Sequence, residues 1–527
     1  VEENRLINPV DRLANGYPLG IYGPENFNRE EYLEEEVSPG NDPSWVSGPV
    51  LEMSEGWRPI DCCIGGTQYF RRHAEIFLPL EPREDSDAWQ RRVSHATMAP
   101  FVQRIAEQAA GLILRKMVQM KARGEDGEID PYWEAFAQNV DGFGTDINGF
   151  ARRVVISSVL YGHSAIMVDY PSIEAAPNLA EERARGLRPY FLHVDARQIL
   201  GWRKADGNPL APISQIRLSE IVSEEHGKFG DKLIRQIRVL EPGRWCVYRQ
   251  GSGGDGEGES GWYIHDEGTT SLPVIPLAPT YSGKISELIS KPPLLPIANL
   301  NIQYAQRAAD LAHSLHVAAM PILVMKGFDD ADGVIGLGSN SAILLPPEGD
   351  AFYVQPAATA FDAQENFLRT LKEQMSSLGI STLFAQKMAA ETATSKQMSR
   401  ADSDSLLSVV SKDLQQCLQN AFDMAGAYVG IEAPEITISR DFDLGVLDGS
   451  QVQQYMQLWL NEAISQETLL EMLQSGEVLP NVNIEEEIEA TGQQKLNDLE
   501  EMAEADNAGA DVGEIEELGV DEGRQVA

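Results

Sequence analysis

The stretch Ile297-Ala-Asn-Leu-Asn-Ile-Gln-Tyr-Ala-Gln-Arg-Ala-Ala-Asp-Leu-Ala-His-Ser-Leu-His-Val317 decides how this chain is read. Leu300, Tyr304, Ala308, Leu311 and Leu315 recur at helical spacing on one face, and Asn299, Gln303, Arg307 and Asp310 fall on another. Pro296 and Pro321 bound the helix, as residues that break the backbone ladder should. Three β-type runs follow: Ile322 to Gly327, Ala342 to Leu345 and Ala351 to Val354. A second helix is expected over Asp362–Leu378, with Leu368, Leu371, Met375 and Leu378 as its apolar stripe. Asp362 with Glu365 resembles a capping box in which Asp replaces the usual Ser or Thr. Two similar helices around a small β insert predict an antiparallel helical hairpin with the β unit at its far end.

Working outward from the hairpin, residues 380–396 form a small-residue segment, and a long helix is expected from Lys396 to Tyr428. Its buried side would carry Leu407, Val410, Leu414, Cys417, Ala421 and Met424. A strand, Glu435 to Ser439, comes next. Ser450 and Ser465 stand as N-caps before helices 451–463 and 466–474, and Gly476 closes the second. On the other side of the hairpin, residues 189–280 read as β: 189–194, 213–218, 234–241, 245–249 and 261–265 are short alternating or apolar runs. Gly251 to Gly261 is Gly-rich, but strands flank it and it carries three acids, so a hairpin tip is favoured over a phosphate cradle. Residues 86–120 read helical, with Val102, Ile105, Ala109, Leu112 and Ile113 in phase and Gly124 beyond the end. Another helix spans 147–160, broken by Gly162, before the buried strand Ala165–Asp169. Residues 1–60, rich in Pro, Gly and Asn, read as an irregular arm.

Composition bounds the function. The 527 residues carry 81 Asp+Glu against 42 Lys+Arg, a net charge of −39, and length alone suggests about three or four folding units. A hydrophobic content of 43% supports real cores and excludes global disorder. The longest apolar run, Val317 to Met325, is nine residues and contains Pro321, far short of the roughly 20 that a membrane helix needs. The opening Val-Glu-Glu-Asn-Arg has no apolar core of a secretory signal and no Met, as in a processed or trimmed chain. Cys62, Cys63, Cys246 and Cys417 show neither a disulfide framework nor metal-ligand spacing, which fits a reduced, cytosolic protein. Residues 481–527 hold 15 acids and 2 bases, and no aromatic residue follows Trp459, so a solvated acidic tail is expected there, with at most a weak helix on Ile484, Ile488 and Leu496. No basic run marks a nucleic-acid grip; any contact with nucleic acid should be loose.

Enzyme signatures are missing from the sequence: no G-x-S-x-G, Walker A, H-E-x-x-H or dinucleotide fingerprint occurs. His313 and His316 are a possible metal pair on a helix, but no acidic or Cys partner is placed to complete a site, and an ordinary polar role is favoured. His163 after Gly162 is read as a C-terminal helix cap rather than a catalytic group. No cofactor and no catalytic or metal residue is assigned.

Several segments then share a resemblance. They are Tyr69 to Pro79, Asn139-Val-Asp-Gly-Phe-Gly-Thr145, Phe150-Ala151, Tyr161 to Pro171, Tyr190 to Trp202, and Lys291 to Tyr304 with Ala309-Asp-Leu311 and His316 beyond it. Ala463-Ile-Ser-Gln-Glu-Thr-Leu-Leu470 adds a helix-turn-helix signature. In this order they resemble tailed-phage portal proteins of the DUF4055 type, over roughly residues 55–490; the acidic tail and the N-terminal arm depart from that pattern.

The resemblance implies an α+β multidomain portal fold assembled as a ring, usually a dodecamer, at one capsid vertex. The expected map is an N-terminal arm 1–60, a wing 61–296, stem helix 297–318, a β-containing clip 319–361, and stem helix 362–379. A tunnel loop 380–396, a long wing helix and strand 397–447, a helical crown 448–490 and an acidic tail 491–527 complete it. Double-stranded DNA would pass the ring during packaging and ejection. Partners would be the terminase large subunit and an adaptor or head-completion protein at the clip, with the major capsid protein and scaffold at the wing; no membrane is implied. The portal would not hydrolyse ATP, and its place is the virion, after assembly in the host cytoplasm. Candidate channel residues are Arg369 and Lys372 on the stem and Gln386, Lys387 and Lys396 on the loop; candidate clip contacts are Lys326, Phe328, Phe352 and Tyr353. The physical expectation is that an acidic lumen avoids counterion-releasing phosphate contacts and lets DNA slide. Two rival readings make different predictions. Another ring-forming phage tail or baseplate protein would lack the helix–β–helix hairpin over 297–379. An acidic metal-dependent hydrolase would gather carboxylates and a divalent ion in one pocket.

Overall fold

A computed structural model describes residues 5–6, 42–123, 128–171, 187–208, 210–250, 261–318, 322–326, 350–354, 358–383, 406–440, 449–460 and 464–475. Two compact units result, Val1–Arg440 and Asp441–Ala527. The first opens with β1 (Arg5–Leu6) and the helices α1 (Gly48–Arg72), α2 (Ala74–Phe77), α3 (Ser86–His95) and α4 (Phe101–Ile113). Then come β2 (Gln119–Lys121), α5 (Pro131–Ala137), α6 (Ile147–Tyr161) and the strands β3 (His163–Asp169), β4 (Tyr190–Asp195) and β5 (Ile199–Lys204). The chain continues through β6 (Ile213–His226), β7 (Gly230–Glu241), β8 (Arg244–Gln250), β9 (Trp262–Thr269) and β10 (Leu277–Tyr281). The short strands β11 (Lys284–Ser286) and β12 (Ile289–Ser290) lead to α7 (Leu295–Ala318), β13 (Ile322–Lys326), β14 (Asp350–Val354) and α8 (Ala358–Leu383). Helix α9 (Leu406–Val429) and β15 (Glu435–Thr437) complete the first unit; α10 (Gly449–Leu460) and α11 (Gln466–Ser475) are the helices described in the second.

The centre of the first unit is a three-stranded antiparallel sheet in the order β10-β3-β4. Its middle strand is buried from His163 to Val168, because α6 and α9 both pack on the sheet. An aromatic cluster locks these layers. Phe136, Phe191 and Phe422 meet edge to face at 5.1–5.6 Å, and Trp133 and Phe150 extend the group. Edge-to-face pairs of this kind add roughly 0.5–1.5 kcal/mol each beyond burial. The second sheet is antiparallel, β1-β6-β7-β8-β9, with β5 also paired to β6. β2 and β15 form a separate two-stranded pair.

Several expectations need correction. The N-terminal arm is not irregular to residue 60: α1 starts at Gly48 with Pro49 in its first turn. Val50, Met53, Trp57 and Ile60 are buried at helical spacing, a stripe hidden in the sequence by Gly48, Pro49, Gly56 and Pro59. The single helix expected over 86–120 is two, α3 and α4, separated at residues 96–100. Pro100 has no N–H to donate and steers Ala99 away from helical angles. Beyond α4 the chain turns extended and enters β2, where helix was expected.

Helix α8 starts at Ala358, a turn before Asp362, so Asp362 and Glu365 do not form an N-terminal cap. Ser450 likewise sits inside α10 rather than ahead of it. Ser465 does cap α11: the Thr468 amide donates to its Oγ at 3.1 Å. In α9 the residue on the buried side is Ala425, with Met424 only half-buried. Strand β8 pairs with β9, as the flanking strands of a hairpin should; residues 251–260 between them, Gly124, residues 342–345, Gly476 and the acidic tail lie outside the described residues.

Candidate functional site: a helical hairpin and its buried anchors

The hairpin expected around residues 297–379 is built from α7, β13, β14 and α8. β13 and β14 pair antiparallel, with Ile322 opposite Val354 and Lys326 opposite Asp350. Ile322 lies four residues past the end of α7, and Val354 four residues before α8. That register brings the two helix ends together, and the helices pack on each other.

The buried stripe of α7 differs from the expected one. Ile297, Ala298, Asn301, Ile302, Ala305, Ala309 and, as expected, Leu311 are buried; Leu300, Tyr304 and Ala308 are half-buried, and Leu315 is exposed. Small residues hold the stripe because α1, α3 and α4 approach α7 closely. On α8 the buried positions are Leu371, Met375 and Gly379, whereas Leu378, expected in the stripe, is exposed. Gly379 lies against α4, where a Cβ would come within 2.9 Å of Ile105 Cδ1.

Residues 63–101 strap α7 to the body. Asn301 Nδ2 donates to the Ala99 carbonyl at 2.9 Å, and Gln306 Nε2 to the Phe77 carbonyl at 2.7 Å. The Cys63 thiol points at the Ala298 carbonyl at 3.6 Å; burial pushes that thiol up to about 12, so it stays protonated. Tyr304 meets Phe101 edge to face at 5.9 Å. Arg92, nearly inaccessible, bridges Glu84 at 2.7 Å and Asp310 at 3.2 Å, and donates to the Pro79 carbonyl. Its hydrogen bond to Glu84 raises the guanidinium and lowers the carboxyl, so the pair is ionised throughout the neutral range. His316 stacks near His95 at 5.2 Å. Burial, then the charges of His95 and Arg91, lowers His313. Among the described residues no group of three His, Cys, Asp or Glu is placed to hold a metal.

Behind the hairpin lies a buried ionic centre. Arg197 Nε and Nη2 donate to the two oxygens of Asp195, Nη1 donates to Asp61 Oδ1 at 2.6 Å, and the guanidinium lies 4.0 Å from the Tyr161 ring centroid. Tyr161 donates its hydroxyl to Asp61, and Ser157 donates to Asp195. The two carboxyls shift in opposite directions. Burial raises Asp61, and one bond from Arg197 does not cancel it. Burial also opposes ionisation of Asp195, but the Arg197 charge and its fork of bonds outweigh it and hold Asp195 low. His163 is not a helix cap. Gly162, at φ +91°, takes that role with its amide on the Ser158 carbonyl, and His163 enters β3 with Nδ1 2.7 Å from Ser290 Oγ. Burial lowers His163 to about 4, so the ring is neutral.

The predicted site residues separate. Arg369 and Lys372 are exposed on α8; Arg369 donates to Asn366 Oδ1 within its own helix. Lys326, Phe352 and Tyr353 stand on the paired strands, opposite Asp350, Val324 and Leu323 in register. Phe328, Gln386, Lys387 and Lys396 lie outside the described residues. Sequence reasoning missed Arg92, Asn301 and Gln306 as anchors. Arg92 had no local signal, since its partner Asp310 is more than two hundred positions away.

A family model described as a domain of unknown function, DUF4055, matches residues 293–429, from the start of α7 to the end of α9. No curated protein matches the chain. Among solved structures, a chain from the neck of an empty GTA particle computed with C6 symmetry is 12% identical with a TM-score of 0.39, covering 73% of this chain and 91% of that one. A chain from the neck of a native GTA particle computed with C12 symmetry is 12% identical with a TM-score of 0.38, covering 83% and 96%. A chain from the virion of a native gene transfer agent particle is 13% identical, with a TM-score of 0.36 and coverage of 76% and 95%. Scores this low fix no property of this chain.

Proposed function

We propose that this chain is the portal subunit of a tailed-phage-type particle: a ring-forming structural protein whose axis is the channel for DNA packaging and ejection. Helices α7 and α8 are its stem, the β13–β14 end its clip, and the sheets and helices of the first unit its wing. The clip docks the terminase and later the adaptor; the wing meets capsid and scaffold. The observation that carries this reading is the helix, antiparallel strand pair and helix in sequence, with α7 fastened by Asn301, Gln306 and Arg92. A tail or baseplate ring was expected to lack such a unit. The DUF4055 match over 293–429 lends support, because it spans the unit whole and the sequence resembles portals of that type.

The charge of the stem fits a sliding polyanion. Exposed on α8 are Asp362, Glu365 and Glu373 against Arg369 and Lys372, so phosphates meet no basic run. Each phosphate held by Lys or Arg would release counterions and add affinity, and a strip with more acids than bases keeps that sum small. Electron microscopy of the purified full-length protein tests the reading. The expected result is a closed ring with an axial opening wide enough for a DNA duplex. A solitary particle at assembly concentrations overturns it.

A further inference from the structure

We infer that the contact between the ends of α3 and α7 is an acid-released latch: protons taken up by the histidines gathered there part α3 from α7. The inference goes beyond the ring reading and does not depend on it. The chain has eight histidines, and three of them, His95, His313 and His316, meet at this one place from segments more than two hundred residues apart. His95 is the last residue of α3. His313 and His316 stand one turn apart near the end of α7, where residues three apart are neighbours on the helix surface. The His95 and His316 rings lie 5.2 Å apart between centroids, tilted by 42°. α3 and α7 pack on each other, so these rings are part of the contact that straps α7.

The surroundings already carry an excess of cations. Arg91 and Arg92 stand in the chain just before His95, and Arg307 is on α7. Arg71 of α1 donates to the Ala96 carbonyl at 3.0 Å, beside His95. Facing these four guanidiniums are the carboxylates of Glu84 and Asp310. Arg92 holds both, at 2.7 and 3.2 Å, and Arg307 also pairs with Asp310 at 3.3 Å. Asp85 and Asp87 lie at the opposite end of α3. On α8, which also packs on α7, Asp362 and Glu365 are exposed, so water and salt weaken their pull. Such a cationic place stands out in a chain of net charge −39. Each imidazole that gains a proton here adds to charge of its own sign.

The direction follows from His313. Burial, then the charges of His95 and Arg91, holds its ring below the ordinary imidazole range; Glu84 pulls the other way but is tied to Arg92. The closed contact therefore favours the neutral ring, and the parted one binds the proton more readily. By linkage the latch is closed above the ordinary imidazole value of about 6.5 and opens as the pH falls below it. Each proton taken up on opening multiplies the open population by at most about ten per pH unit.

Hydrogen–deuterium exchange of the full-length protein at pH 7.5 and pH 5.5 tests this, with exchange times scaled for the intrinsic effect of pH. In the wild type the amides of residues 86–96 should exchange about threefold to tenfold faster at the lower pH. His95→Gln and His316→Gln each remove one titrating ring and keep a polar side chain. Both should match the wild type at pH 7.5 and show a flattened response at pH 5.5. Arg91→Gln, at an exposed position, should reduce the response by removing a neighbouring cation. Wild-type exchange over residues 86–96 that is indifferent to pH overturns the latch. So does a response of wild-type size in both histidine variants, which would trace it to the buried His163 and His193 instead.

Discussion

At Arg197 one guanidinium serves two buried carboxylates, and the neighbouring His163 is buried neutral. Part of the acid response of the fold follows from the second fact, alongside His193, which burial also lowers to about 4, and Asp195, which Arg197 holds low. In the unfolded chain the His163 imidazole titrates near 6.5; in the folded protein it does so near 4. Between those values the unfolded state binds more protons, so stability rises with pH. The contribution of His163 is complete above about pH 6.5 and is lost as the pH falls towards 4. Unfolding free energies from urea titrations at pH 7 and pH 4.5 should differ, by about 2–3 kcal/mol from this residue at most. His163→Asn should narrow that difference; an unchanged gap would remove His163 as its source. The sequence flagged His163 through its place after Gly162 but assigned it the wrong job. Whether a residue past a helix end caps it or starts a strand depends on who packs there, and here Ser290 decides.

At the scale of elements, the hairpin's helices were legible and their faces were not. The 3.6-residue period locates α7 and α8, but it leaves the rotation of each helix to its neighbours. On α7 the stripe read from spacing was Leu300, Tyr304, Ala308, Leu311 and Leu315; of these only Leu311 is buried, and Ala305, Ala309 and Asn301 are the deeply buried positions. Close helix approach favours small residues, and a buried Asn is tolerated because its amide reaches Ala99 O. Arg92 is the strap with the largest stake. Arg92→Met would leave Glu84 without its cation and Asp310 with only the exposed Arg307 at 3.3 Å, at a cost of roughly 3 kcal/mol. Limited proteolysis should then cut within residues 77–101 at a higher rate than in wild type, while far-ultraviolet circular dichroism stays near native. Equal cutting rates would mean that Asn301 and Gln306 suffice to hold α7.

For the whole molecule the test lies in salt. If the stem lines a channel, DNA binding by the assembled protein should be weak and carried by few cations. Arg369→Ala and Lys372→Ala should each lower the slope of log affinity against log salt by about 0.9, with little change in stability because both are exposed. A slope unmoved by both would place these residues off the DNA path.

What the sequence determined by itself was the order of elements and the chemistry to leave out. Period-2 and period-3.6 patterns are local, so the β-rich run of residues 189–280, the buried strand after Gly162 and the helix–β–helix unit could be read along one chain. Charge is also local: the acidic balance and the lack of a basic run needed no fold. Tertiary structure alone decided which face of α7 is buried, that Pro- and Gly-containing residues 48–60 are helix, and that Arg92 and Arg197 tie together segments more than a hundred residues apart. Those outcomes depend on contacts between distant parts of the chain, whose energies are set by shape and burial after collapse and leave no trace in spacing.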